Sequence, residues 1–487
     1  MLAKLSCRSG LPNPDQLAKR CHVLIVLPAG REVPDDCPDH NLLLAVLKRR
    51  NKKPGSLKTT PVVAGNADGG LRVWCMLDMA QSPFEQQTLL RKAVQPLLEE
   101  QPAGVDVLIV GDRSFADIAG TLAAYVVLAN GTPLPAQKKT VAKPLKTVTL
   151  WGAQVDERAR VLAQASLLTR TLTASPPNSL TPGAYRERLA GLAGEHGWEI
   201  EEFGVERLRE LGAGAFLAVA QGSAVGDAAI VRLGVGPKNA GKRVAIIGKG
   251  ICFDTGGHNL KSAKYMAGMH EDMAGSAVAL GILFTASRLE LPLRIDIWLA
   301  LARNEISPQA YRQGDVVTAV NGTTIEIVHT DAEGRLVLAD ALALAARDKP
   351  DLMIDFATLT GSMVYALGTR YAGLFATQPA LAELAVTAGR TSGERVCVFP
   401  MDEDYEADLD SDVADIKQCT LEGEADHILA ARFLKRFVGK TPWLHMDLST
   451  ASCKGGLGAI GTDQTGFGVA WGIDFLGRWL EGGEDSH

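Results

Sequence analysis

The 487-residue chain contains no CxxC pair, and its eight cysteines (Cys7, Cys21, Cys37, Cys75, Cys252, Cys397, Cys419 and Cys453) are scattered. That scatter excludes a small disulfide framework and a zinc finger, and it predicts reduced thiols in a cytoplasmic protein. No run of about 18 consecutive apolar residues occurs, so no membrane span is expected. The opening residues MLAKLSCRSGLPNPD lack the apolar stretch of a secretory leader. Internal repeats and long low-complexity tracts are missing too, and with them a repeat architecture. A helix-turn-helix or Arg-rich motif is also absent, so DNA binding can be argued only from charge.

What the chain does have is size and apolar content. At 487 residues and 46% hydrophobic composition it exceeds the length at which one core stops growing, and two domains are expected. The net charge of −6 is unevenly spread: residues 1–150 carry 19 Lys and Arg against 13 Asp and Glu, and the remainder carries 31 against 43. An acidic second part suits cation binding, while the basic first part is compatible with DNA contact without arguing for it.

Apolar runs at 22–27 (HVLIVL) and 105–110 (VDVLIV) alternate with helical patterns at 84–98 and 114–128, the pattern of a small α/β unit. The Pro- and Lys-rich segment 131–146 reads as a connector, which divides the chain into an N-terminal domain 1–150 (connector 131–150) and a domain 151–487. In the second domain a helix is predicted over 153–172, followed by SPPNSLTPG, where Thr181-Pro182 can start the next helix. Strands at 243–247, 293–300, 352–356 and 443–446 then alternate with helices at 272–289, 336–347 and 427–437, so the fold class is α/β throughout. The cluster Lys48, Arg49, Arg50, Lys52 and Lys53 closes a helical pattern and reads as a solvated helix C-terminus.

Two short Gly-rich stretches carry the chemistry. HTDAEGRL (329–336) places Asp331, Glu333 and Arg335 within five positions, and GKGICFDTGGHNLKSAKYMAGMHEDMAGSA (248–277) adds Lys249, Asp254, Lys261 and Asp272. An isolated buried charge costs several kcal/mol and needs a partner. Metal ions are the natural partner for so many acids, with Asp254 and Glu333 placed to bridge two ions and Asp272 and Asp331 to end-ligate them. Lys249 can ligate only if the metals hold it neutral. Gly250, Gly256 and Gly257 let the backbone turn closely around the site.

These stretches resemble the leucyl aminopeptidases, or cytosol aminopeptidases, peptidase family M17. The family signature NTDAEGRL stands here as HTDAEGRL, and GKG-x-x-FDTGG-x-x-LK and DM-x-G also match. The resemblance continues through PPNSLTP, LAVAQGS, DFATLTGS, WLHMDLS and TGFG, covering roughly 150–487. It implies a small N-terminal α/β domain and a larger α/β/α domain whose mixed central sheet carries a two-metal site. It implies metal ligands at Lys249, Asp254, Asp272, Asp331 and Glu333, and catalytic groups at Lys261 and Arg335. One ion would use Asp254, Asp331 and Glu333, and the other Lys249, Asp254, Asp272 and Glu333.

The implied reaction is release of the N-terminal residue, Leu-like by preference, from short peptides, with a metal-bridging water as nucleophile. In the family Arg335's counterpart holds a bicarbonate that shuttles the proton, and Lys261 would stabilise the oxyanion. Met269, Thr358 and Gly361 should line the pocket for the first side chain, and the Leu359 backbone should bind the substrate amide. Mn²⁺ or Zn²⁺ is expected, in a homohexamer. Some bacterial members also bind DNA, which remains open as a second activity, as does a two-metal phosphoesterase reading. His329 replaces the family's Asn and is read as hydrogen-bonding to a ligand rather than ligating. His258-Asn259 departs from the family pattern, and His427 and His445 are read as packed residues.

Overall fold

The computed structural model describes residues 2–67 and 69–482 and divides into two compact units, each with its own sheet. Among the described residues no helix is long and apolar enough to cross a membrane.

The first unit runs through Leu167 and includes the later segments Arg390–Glu394 and Cys453–Thr465. Its strands are β1 (Lys4–Arg8), β2 (His22–Pro28), β3 (Val62–Gly65), β4 (Leu71–Leu77), β5 (Gly104–Ile109) and β6 (Thr147–Trp151). They form one sheet in the order β1-β6-β5-β2-β4-β3, parallel except at β3. The apolar runs at 22–27 and 105–110 are strands at its centre; β2 is buried along nearly its whole length because cores lie on both faces. The helix Pro83–Glu99 starts on a capping box between Ser82 and Glu85, and Arg113–Asn130 starts on Asp112, whose carboxylate accepts from the Phe115 amide.

The end of the expected connector is therefore strand β6, and the unit extends past 150 to Leu167. The later segments join by side-chain bonds that sequence spacing does not announce. Gln87 donates to the Ser392 carbonyl, Arg91 to those of Gly455 and Ile460, and Asn130 to that of Ala459.

The second unit is built on β7 (Glu199–Gly204), β8 (Ala229–Val235), β9 (Arg243–Asp254), β10 (Arg294–Asn304), β13 (Leu352–Ala357), β14 (Ala372–Ala376), β15 (Val396–Val398) and β17 (Trp443–Asp447). A separate small sheet takes β11 (Val316–Thr318), β12 (Thr324–Glu326) and β16 (Ile416–Lys417). The main sheet runs β15-β14-β17-β13-β9-β10-β8-β7 and is mixed: β17, β13, β9 and β10 are parallel, β14 joins β17 and β8 joins β10 and β7 antiparallel, and the edge pair β14–β15 is parallel. β9 and β10 are buried along both faces, as runs such as RVAIIGKGI require, each such Ile, Leu or Val contributing about 1.5–3 kcal/mol by burial. Thr181 caps the helix Pro182–His196 with Pro182 at its first position, as the Thr-Pro pair predicts.

Two features place the site. β13 pairs with β9 only as far as Phe356 opposite Gly248, so β9 runs on beyond its neighbour and carries Lys249 to Asp254 past the point where β13 turns away. The helix Ala274–Arg288 packs so closely against these strands that a Cβ on Gly275 would lie 2.0 Å from the Phe356 carbonyl oxygen. Glycine there lets the helix start, and Asp272 just before it, sit against β9.

Candidate metal and catalytic site

All of the expected ligands come from the carboxyl-end side of the parallel strands, where α/β sheets present their sites. Lys249 and Asp254 belong to β9, Asp272 precedes the helix Ala274–Arg288, and Glu333 is the first residue of the helix Glu333–Ala346. A helix N-terminus carries partial positive charge, which favours the Glu333 carboxylate. Asp254, Asp272 and Glu333 each present a carboxylate oxygen within 4.8 Å of the others, and all three are buried.

The two lysines interleave with the acids. Lys249 Nζ lies 2.8 Å from Asp272 Oδ1 and 2.9 Å from Glu333 Oε1, and donates to the Thr358 carbonyl at 2.9 Å. Lys261 Nζ lies 2.8 Å from Asp254 Oδ2 and 2.6 Å from Asp331 Oδ1, so Asp331 joins the cluster through it. Burial by itself would lower the lysine pKa values, but the surrounding carboxylates outweigh it, and both are held above their ordinary value as ammoniums.

The acids are perturbed in turn. Burial, with Glu333 and Asp254 adding repulsion, pushes Asp272 up to about 8 against the opposing pull of Lys249, and Asp331 up to about 7 against that of Lys261; Asp254 is raised for the same first reason. Burial acts on Glu333 as well, but Lys249 and Lys261 overcome it and hold Glu333 below its ordinary value.

Four carboxyl groups thus face two ammoniums, which leaves two negative charges uncompensated when all are ionised. Among the described residues, Asp272 Oδ2 and Glu333 Oε2 are buried without a hydrogen-bond partner. Orphaned hard oxygens in an over-negative buried cluster are the chemistry of a divalent-cation site, and the donor set fits metal ions.

The loops are held by the glycines that the sequence marks and by residues it does not, among them Asn304, Tyr311 and Thr330. Gly256 and Gly257 turn at φ +87° and +63°, and the Gly256 amide donates to Asp254 Oδ1 at 2.8 Å. Asn304, at the end of β10, donates to the same Asp254 oxygen at 2.8 Å and to the Thr330 carbonyl at 3.0 Å; Tyr311 donates to that carbonyl at 2.6 Å. Asn259 and Thr330 exchange bonds, the Asn259 amide donating to Thr330 Oγ1 and the Thr330 amide to Asn259 Oδ1, each at 2.8 Å. His258 beside it is exposed.

Gln418 is wholly buried and clamps the 328–332 loop. Its Oε1 accepts from the amides of Val328 (2.7 Å) and His329 (3.1 Å), and its Nε2 donates to the Ala332 carbonyl at 3.2 Å. Arg335 donates from Nη1 to the Gln418 carbonyl at 2.8 Å and from Nη2 to Asp426 Oδ1 at 2.7 Å, while its Nε has no partner among the described residues. The signal for these residues is weak in sequence, because Gln418 and Asp426 stand more than 80 positions from the loop they hold.

His329 accepts at Nδ1 from the Asp331 amide at 3.2 Å, and burial together with Lys261 and Arg335 holds its pKa below the ordinary value. Thr358 donates from Oγ1 to Asp272 Oδ1 at 2.6 Å; the Leu359 amide donates to Asp447 at 3.1 Å, and Gly361 starts the helix Gly361–Leu367. Met269 lies half-buried in the turn Met269–Glu271 that leads into Asp272. His427 hydrogen-bonds Ser362, and His445 is wholly buried, 2.6 Å from Asp355.

Comparison with known proteins agrees with this geometry. The family description "Cytosol aminopeptidase family, catalytic domain" matches residues 167–471. A "Probable cytosol aminopeptidase" of Bradyrhizobium sp. (strain BTAi1) is 40% identical over 316 residues, 65% of this chain and 62% of that protein. One of Syntrophotalea carbinolica is 41% identical over 321 residues, 66% of this chain and 64% of that protein. The matched region thus spans less than two thirds of the length of these curated relatives. A solved structure described as "Bottromycin maturation enzyme BotP in complex with Mn" aligns with a TM-score of 0.81 at 31% identity, covering 94% of this chain and 99% of that one. With its family match across the second unit and its likeness to that structure over nearly the whole length, the chain belongs to the cytosol aminopeptidase family, peptidase family M17.

Proposed function

We propose that the chain is a metal-dependent aminopeptidase that releases the N-terminal residue, Leu-like by preference, from short peptides. The observation that carries this reading is the buried cluster of four carboxyl groups and two lysines with two orphaned carboxylate oxygens. Asp254, Asp272, Asp331 and Glu333 would hold two divalent ions, Mn²⁺ or Zn²⁺, joined by Lys249 once the ions' charge has displaced its proton. When bound, such ions supply Lewis acidity, polarising the scissile carbonyl and acidifying the attacking water.

The chain's own groups have distinct tasks. An ammonium has three donors; Lys261 directs two at Asp254 and Asp331, and the third is available to the oxyanion of the tetrahedral intermediate. A donor of that kind contributes on the order of 3 kcal/mol to the barrier. Arg335, its Nη atoms fixed by Gln418 and Asp426, keeps Nε for an anion, and bicarbonate is the proposed proton shuttle there. The Leu359 amide is taken by Asp447, which leaves the Leu359 carbonyl to accept from the substrate amide. Thr358, Gly361 and Met269 would line the pocket for the first side chain. Assembly as a homohexamer in the cytoplasm completes the proposal.

The test is release of p-nitroaniline from Leu-p-nitroanilide by protein stripped with chelator and resupplied with Mn²⁺ or Zn²⁺, alongside Glu333→Ala. Metal-restored activity that the variant lacks is expected. Inactivity with every metal, or hydrolysis of p-nitrophenyl phosphate in its place, would remove the aminopeptidase reading.

A further inference from the structure

We propose that Asp447 is a positioning residue for this reaction: it fixes the Thr358–Gly361 turn and, through it, the substrate-facing carbonyl of Leu359 and the contacts of Lys249 and Asp272. The proposal rests on the aminopeptidase reading and adds a residue to it.

Asp447 ends β17, opposite Ala357 of β13, so it stands beside the point where the chain leaves the sheet. It is 1% exposed, and no lysine or arginine pairs with it among the described residues. Its carboxylate is instead spent on the turn. Oδ1 accepts from the Leu359 amide at 3.1 Å, while Oδ2 accepts from the Thr360 amide at 3.2 Å and from Thr360 Oγ1 at 2.7 Å. The charges of His445 and Lys249 favour the ionised form of Asp447, and with no salt bridge to it among the described residues these donors supply the direct hydrogen bonds that a buried carboxylate needs. Two consecutive amides and a hydroxyl on one side chain leave the turn little freedom.

Proton counting fixes the direction of the chain of bonds behind it. Thr360 spends its one hydroxyl proton on Asp447, so it must accept from Ser362 Oγ (3.2 Å) and from the Met363 amide (3.3 Å). Ser362 then has no proton left for His427, so His427 donates to it from Nδ1 (3.0 Å) as well as from its amide (3.0 Å). Every donor from His427 onward points toward Asp447. The residue before His427 is Asp426, which holds Arg335. The start of the helix Asp426–Lys435 thus grips both the Arg335 side of the site and the turn.

The far side of the turn reaches the metal cluster. The Thr358 carbonyl accepts from Lys249 at 2.9 Å, and the Thr358 hydroxyl donates to Asp272 at 2.6 Å. The Leu359 carbonyl shares a trans peptide plane with the Thr360 amide, so turning that amide inward to Asp447 turns the Leu359 carbonyl outward. In Asp447→Asn the new NH₂ faces the Thr360 donors, and the turn loses the acceptor that sets its orientation.

The experiment compares wild type, Asp447→Asn, Thr360→Val and Thr360→Ser in the metal-loaded protein. It reads kcat and KM on Leu-p-nitroanilide, metal content, and hydrogen exchange of the peptide containing Leu359 and Thr360. Because misplacing a positioning group by ~1 Å costs on the order of 100-fold, Asp447→Asn and Thr360→Val should lose at least about tenfold, mainly in kcat. Metal content should be unchanged and exchange in the turn faster, and Thr360→Ser, which keeps the hydroxyl, should restore both readouts. Unchanged exchange, kcat within about twofold of wild type, or loss of metal from Asp447→Asn would each overturn the proposal. If Asp447→Asn does not fold, the Thr360 pair decides by the same criteria. An inactive wild type would defeat the aminopeptidase reading, whereas an active wild type with an indifferent Asp447→Asn would defeat this one.

Discussion

Replacing Gln418 by leucine isolates the clamp on the loop that carries Asp331 and Glu333. Leucine is close to glutamine in size, so little cavity arises, and what is lost is polar: the acceptor for the Val328 and His329 amides and the donor to the Ala332 carbonyl. Stranding a fully buried group costs about 1–3 kcal/mol. These three backbone groups belong to half-buried residues that water can partly reach, so the low end applies, about 1 kcal/mol each and ~3 kcal/mol in all. At roughly 2 °C per kcal/mol for a unit of this size, the apparent melting temperature should fall by about 6 °C. Gln418→Glu keeps the acceptor but must bury a charge or take up a proton, so its melting deficit should shrink as pH falls and the protonated carboxyl regains a donor for the Ala332 carbonyl. The Gln418 carbonyl that receives Arg335 survives in both variants. Melting of the chelated protein, followed by kcat/KM on Leu-p-nitroanilide after metal loading, reads both consequences, and activity should drop at least about tenfold in Gln418→Leu as the loop loosens. A melting temperature within 1 °C of wild type together with kcat/KM within about twofold would refute the reasoning.

Two more expectations follow from particular hydrogen bonds. His329→Asn should leave metal content unchanged by elemental analysis and shift the pH profile of activity only slightly, because His329 accepts from the Asp331 amide, a task an Asn side-chain oxygen can take over; loss of one metal per chain would make His329 a ligand. Burial lowers the His445 pKa, but Asp355 at 2.6 Å, with Asp447 adding, outweighs it and leaves it above the ordinary 6.5. The stabilisation from that pair is fully present below the unfolded-state pKa and is lost as pH rises through the higher folded value. The melting deficit of Asp355→Asn should therefore be largest near pH 6 and shrink toward pH 9; a deficit that does not vary with pH would show that His445 is not charged in the fold.

Much of the second unit was legible because its strands are continuous apolar runs and the residues proposed as ligands lie in two short stretches. The expected strand at 352–356 is Leu352–Ala357, and the expected helix at 336–347 is Glu333–Ala346, starting earlier because Glu333 itself opens it. β1, β3, β4 and β6 were not predicted: β1, β3 and β6 are short and partly exposed and carry little periodicity, while β4 was missed although it is buried along nearly its whole length. The connector was read from Pro and Lys composition, yet its last residues become a strand once β1 and β5 flank them.

By itself the sequence determined which groups could do chemistry: charges clustered at such short spacing have no use in a core, and their hard oxygens suit divalent cations. It also determined the alternation that builds a parallel sheet, since local apolar period is a property of neighbouring residues. Only the tertiary structure decided how those charges pair, with Lys249 set between Asp272 and Glu333 and Lys261 between Asp254 and Asp331. It alone brought in Asn304, Gln418, Asp426 and Asp447, single polar residues with no local pattern to mark them. A hydrogen bond across 80 residues is fixed by where strands end and helices begin, and that is settled by packing of the whole sheet.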